Sequence, residues 1–89
     1  MSEKIWSDEA WEDYLYWQTQ DKKTLKRINQ LIKDIERNGC IEGIGKPEPL
    51  TGDLHGEFSR RIDEKNRLVY HMDNGRIYIA HCRCHYSDK

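Results

Sequence analysis

The segment "EFSRRIDEKNRLVYHMDNGRIYIAHCRC", residues 57–84, decides the fold. Its apolar period is two. Phe58, Arg60 and Ile62 alternate with Ser59, Arg61 and Asp63, and "NRLVYHM" and "RIYIAHCRC" follow in the same manner. "DNG" at 73–75 is a tight-turn signal between two such runs, and a second turn falls at Glu64-Lys65. Three antiparallel strands in a meander are predicted.

Upstream the period changes. Leu25, Ile28, Leu31, Ile32 and Ile35 form a helical stripe flanked by lysines and Arg27, with Asp21 opening the helix and Asn38-Gly39 closing it. Ser7, followed by Asp8 and Glu9, caps an earlier helix in which Trp11, Tyr14, Leu15 and Gln18 follow helical spacing, with Trp17 beside Tyr14. "KIWS" reads as a first strand. The predicted order is βααβββ, an α+β domain over residues 1–89 with a helical hairpin on one face of a small, mainly antiparallel sheet. The stretch "GCIEGIGKPEPLTGDLHG", 39–56, carries five glycines and both prolines. A loop this long in a small domain favours a functional role over a plain connection.

Composition sets limits. Leu, Ile, Val and Phe supply only 17 of 89 residues, but nine aromatics and a net charge of −1 favour a compact chain with an aromatic-rich core. The near-zero charge argues against a strong grip on free nucleic acid while leaving room for a local anion site. No apolar run reaches membrane-span length, and three cysteines (Cys40, Cys82, Cys84) do not make a secreted disulfide framework, so a cytoplasmic protein is expected.

"HCRCH", 81–85, invites a metal reading. On a strand, however, Cys82 and Cys84 face one side and His81, Arg83 and His85 the other, so four ligands do not converge. No metal and no cofactor is expected, and the cysteines read as small core residues. Arg60, Arg61, Lys65 and Arg67 concentrate positive charge on the first hairpin; Arg61 and Arg67 are spaced to meet one anion, or else pair with Asp63 and Glu64 on a solvated face. Glu48, between two prolines, is either a general base on a stiff loop or an exposed turn residue. Together they outline RNA cleavage: Glu48 takes the 2′-hydroxyl proton, the arginines hold the phosphate charge, and His85 protonates the leaving oxygen. Its imidazole ordinarily titrates at about pH 6.5. Tyr86 offers a ring for base stacking.

The motifs "IWSDEAWEDYLYWQ", "INQLIKDI", "GKPEPL", "SRRI", "RLVY" and "CRCHY" stand in one order and spacing across nearly the whole chain. In this the sequence resembles the YoeB toxins of the RelE/ParE superfamily. The resemblance implies a RelE-like fold and a ribosome-dependent endoribonuclease that cuts messenger RNA in the ribosomal A site. It implies Glu48 as base, Arg61 and Arg67 as phosphate ligands, His85 as acid, Tyr86 on the substrate base, and Lys46 as a supporting cation; Arg60 joins the expected phosphate-binding set. A YefM-type antitoxin, the bacterial ribosome, a homodimer, and operator DNA reached only through the antitoxin are the implied partners. Two other readings fit the same scaffold: a non-catalytic ParE-like toxin blocking a topoisomerase, and a co-repressor. One departure stands out: Gly56-Glu57-Phe58 replaces an aromatic pair, which sets an acidic residue near the expected phosphate site.

Overall fold

The computed structural model describes residues 3–83. The elements are β1 (Lys4–Trp6), α1 (Asp8–Gln20), α2 (Lys22–Asn38), β2 (Glu48–Pro49), β3 (Phe58–Arg61), β4 (Arg67–Asp73) and β5 (Arg76–His81), with a single 3₁₀ turn at Gly52–Leu54. They form a five-stranded mixed sheet in the order β1-β5-β4-β3-β2, antiparallel except that β1 runs parallel to β5. The expected βααβββ order therefore holds with one added strand. β2 is only two residues long, embedded in the glycine-rich loop, and its proline is tolerated because it lies on the sheet edge.

Local chemistry sets the helix limits. The Ser7 hydroxyl oxygen accepts from the Ala10 N–H at 3.0 Å and donates to the Ala80 carbonyl at 2.7 Å, so the cap of α1 is also a tie to β5. Asp21 alone separates the helices: its backbone N–H closes α1 on the Trp17 carbonyl, and its carboxylate accepts from the Lys23 and Thr24 N–H groups to open α2. Gly39, at φ +88°, ends α2 where expected.

The predicted stripe of α2 is the one buried. Ile28, Leu31 and Ile35 are fully covered, Ile32 nearly so, and they pack with Leu68 and Tyr70 of β4 and Ile77 and Ile79 of β5. Burial of each such side chain is worth roughly 1.5–3 kcal/mol. α1 is rotated from expectation. Ala10, Asp13 and Trp17 are buried, whereas Trp11 is 46% and Leu15 38% exposed. Polar ties set the rotation: Asp13 accepts the Cys82 N–H at 3.0 Å, and the Trp17 indole donates to the Cys82 carbonyl at 2.8 Å. These two bonds hold the residue just beyond β5 by both backbone groups, and an apolar-stripe count does not see them. Trp11 joins Trp6 and Tyr14 in an aromatic cluster with centroids 4.7–6.1 Å apart.

Candidate active site

Strand register places three of the expected groups together. Glu48 lies opposite Ser59, Ser59 opposite Val69, and Val69 opposite His81, so one row crosses four strands. The next row on that face is Arg61 opposite Arg67. Phe58, Leu68 and Tyr70 occupy the alternate positions in the core beneath the helices, with buried Arg60 among them reaching Asp34 of α2, so Glu48, Arg61 and Arg67 share the face turned away from the helices. His81 reaches its row through a register shift between Val69 and Tyr70, which makes Ala80 an extra residue in β5. The shift also sends Cys82 inward, where it is fully buried, in keeping with its reading as a core residue.

Two like charges directly opposite each other weaken a ladder. Arg61 and Arg67 nevertheless face one another, and neither they nor Lys46 form an ion pair with a described residue. The expected alternative, pairing with Asp63 and Glu64 carboxylates, is not what holds Arg67. Its Nη1 donates to the backbone carbonyls of Asp63 (2.7 Å), Asn66 (3.1 Å) and Glu64 (3.3 Å), which fix one end of the guanidinium without neutralising it. The Asp63 carboxylate instead accepts the Lys65 and Asn66 amides of the turn. Burial raises its pKa, but these bonds, the Asn66 side chain and nearby Arg67 outweigh that and hold it below the usual carboxylate range.

Glu48 is exposed, between Pro47 and Pro49, and it forms no ion pair with a described residue. Lys46, two residues before it, adopts φ +50°, a left-handed conformation uncommon for lysine. Glu57 lies away from the arginines. Its carboxylate meets His71 Nδ1 at 2.6 Å, and His71 stacks on Tyr78 at 4.7 Å, four residues along β4 from Arg67 or about 13 Å. These side chains help line an apolar groove of about 330 Å³ with Ile5, Leu54 and Ala80.

Arg60 corrects the expected phosphate-binding set. It is fully buried, and its guanidinium faces the helices rather than the arginine pair. Asp34 of α2, the Tyr70 hydroxyl and three loop carbonyls take its donors, so it has nothing left to offer a phosphate. Its place in the alternation with Phe58 and Ile62 was the available signal. Asp34 itself, a polar residue beside the apolar stripe of α2, carried no such signal. His85 and Tyr86, like Cys84, lie outside the described residues.

The carboxylates give a pH prediction. The Arg60 hydrogen bond holds Asp34 below its usual pKa, with the Ile44 amide and Asn38 adding to it against burial; the Thr24 hydroxyl does the same for exposed Asp21. A folded pKa below the unfolded value of about 3.9 means that the native state binds fewer protons, so stability is present above that pH and lost as pH falls through the folded values. The urea midpoint should fall between pH 5 and pH 3, and more gently in Asp34→Asn. A midpoint constant over that range would contradict this.

Comparison with known proteins gives the family and the fold. Residues 6–86 match the family described as the YoeB-like toxin of bacterial type II toxin-antitoxin system. Toxin YoeB of Escherichia coli strain K12 is 56% identical over 82 residues, covering 92% of this chain and 96% of that one. Among solved structures, the toxin in a YoeB–YefM complex from Staphylococcus aureus superposes with a TM-score of 0.91 at 50% identity, over 97% of this chain and 99% of that one. A YoeB dimer from the same organism superposes at 0.90 with 52% identity, over 96% and 98%.

Proposed function

Because the chain belongs to the YoeB-like toxins of bacterial type II toxin-antitoxin systems, we propose that it inhibits translation as a ribosome-dependent endoribonuclease acting on A-site messenger RNA. The observation that carries the reading is the grouping of Glu48, Arg61 and Arg67 at one end of one sheet face. Arg61 and Arg67 receive the scissile phosphate, and charge building on its oxygens strengthens their bonds in the transition state. Glu48 removes the 2′-hydroxyl proton, and the freed oxygen attacks the adjacent phosphorus. Lys46 adds positive potential. His85 supplies the proton to the departing 5′-oxygen, and Tyr86 stacks on a substrate base. No step calls on a metal ion.

A net charge of −1 supports ribosomal presentation, since such a chain has little electrostatic grip on naked RNA. By likeness to the YoeB–YefM complex and the YoeB dimer, we assign it a YefM-type antitoxin and a second copy of itself; operator DNA, reached only through the antitoxin, is what the family resemblance implies. A cytoplasmic site of action follows from that role; among the described residues no helix is long and apolar enough to cross a membrane. The test compares one message, translated and naked, at equal enzyme concentration. Cuts phased by codon on ribosomes only are expected. Equal cutting of both forms contradicts ribosome dependence, and growth arrest without any cutting would favour the topoisomerase-binding alternative.

A further inference from the structure

The donors of Arg60 are matched one for one. Nε donates to the Tyr70 hydroxyl (2.9 Å), Nη1 to Asp34 and the Ile44 carbonyl (3.0 Å), and Nη2 to the carbonyls of Gly39 and Glu42 (both 2.7 Å). A guanidinium has five N–H groups, and this arrangement employs all of them. The Tyr70 hydroxyl donates onward to the Cys40 carbonyl at 2.7 Å, and Asp34 accepts the Ile44 N–H at 3.0 Å. Carbonyls 39, 40, 42 and 44 of the connection between α2 and β2 are thus held from one point. The loop is moulded onto that point: a Cβ built on Gly43 (φ +121°) would overlap the Asp34 carboxylate, and one on Gly45 (φ +81°) would fall 2.8 Å from Leu31 Cδ2. Gly45 then accepts the Arg61 N–H at 2.6 Å, three residues before Glu48.

We propose that Arg60 is the positioning residue for Glu48, locking the 39–45 loop so that the carboxylate leaves it on the face occupied by Arg61 and Arg67. Neighbours in one strand then divide the work: Arg61 points outward to substrate, and Arg60 points inward to set where the base stands. This rests on the assignment of Glu48 as base. A lysine keeps the charge opposite Asp34 but has three donors and no plane, so it leaves loop carbonyls unheld.

Two variants test it: Arg60→Lys, and the milder Tyr70→Phe, which frees the Cys40 carbonyl. Both are compared at a temperature where circular dichroism shows them folded. The single-turnover cleavage rate of Arg60→Lys should fall roughly tenfold to a hundredfold, and that of Tyr70→Phe several-fold, with KM little changed. In a Glu48→Gln background the same changes should have almost no further effect, because the group being positioned is gone. A loss that persists undiminished in that background overturns the proposal. Amide exchange of residues 40–46 in the free protein should quicken in both variants while the interior of α2 stays protected. The exchange measurement needs no activity. A wild-type chain that cuts no RNA would count against the nuclease reading, whereas unchanged loop exchange in Arg60→Lys would overturn the positioning role itself.

Discussion

Arg60→Ala should destabilise the fold by about 3–5 kcal/mol, the cost of breaking a buried ion pair from one side. The substitution leaves the Asp34 carboxylate without its charge partner, held only by the Ile44 N–H and the Asn38 amide, and leaves the carbonyls of Gly39, Glu42 and Ile44 without their donors. Total stabilities of 5–15 kcal/mol are usual, and a chain of 89 residues sits toward the low end, so a large part of the reserve disappears. Pairing the change with Asp34→Leu should not restore stability. An apolar swap cures a stranded charge but not three loop carbonyls. Urea unfolding of the single and double variants measures both effects; a loss under about 1 kcal/mol for Arg60→Ala would show that the loop finds other donors, water included.

That arginine also shows how far the sequence could be read. Its alternation with Phe58 and Ile62 already put it on the core side of β3, yet its charge, beside Arg61, drew it into the phosphate site. Parity was the better guide, because a strand cannot turn one residue around without a bulge. The strands themselves were legible from that parity, as was the turn at "DNG": Asn74 and Gly75 both take positive φ, as a tight hairpin turn demands. The stripe of α2 was equally plain. What stayed hidden depends on contacts distant in sequence. The rotation of α1 follows from Asp13 and Trp17 reaching Cys82, sixty-five or more positions away. The register shift that sets the row of His81 leaves no mark in "YIAHC". β2 hid because it is only Glu48 and Pro49, and two residues carry no period. For the site, spacing suggested that Arg61 and Arg67 meet, and they are direct cross-strand partners. Glu48 joined them on the strength of chemistry and resemblance rather than pattern.

The largest functional effect is expected at Glu48. Glu48→Gln preserves shape and removes basicity, so cleavage on the ribosome should fall by roughly 10²–10⁴. Its urea midpoint should stay that of wild type, since the side chain is exposed and forms no ion pair with a described residue. Arg67→Ala should lose roughly 10²–10³ by removing a preorganised donor from the phosphate. An activity loss accompanied by an equal loss of folded protein would assign these residues to the scaffold instead.

The proposed chemistry would leave its own record on the RNA. Attack by the 2′-oxygen must yield a 2′,3′-cyclic phosphate on the upstream fragment and a 5′-hydroxyl on the downstream one, without a free divalent ion at the cut. The decisive measurement is therefore the identity of both new ends after cleavage of ribosome-bound message. Those two termini, formed by wild-type chain and nearly absent with Glu48→Gln, are the predicted result; a 5′-phosphate with a 3′-hydroxyl would contradict it.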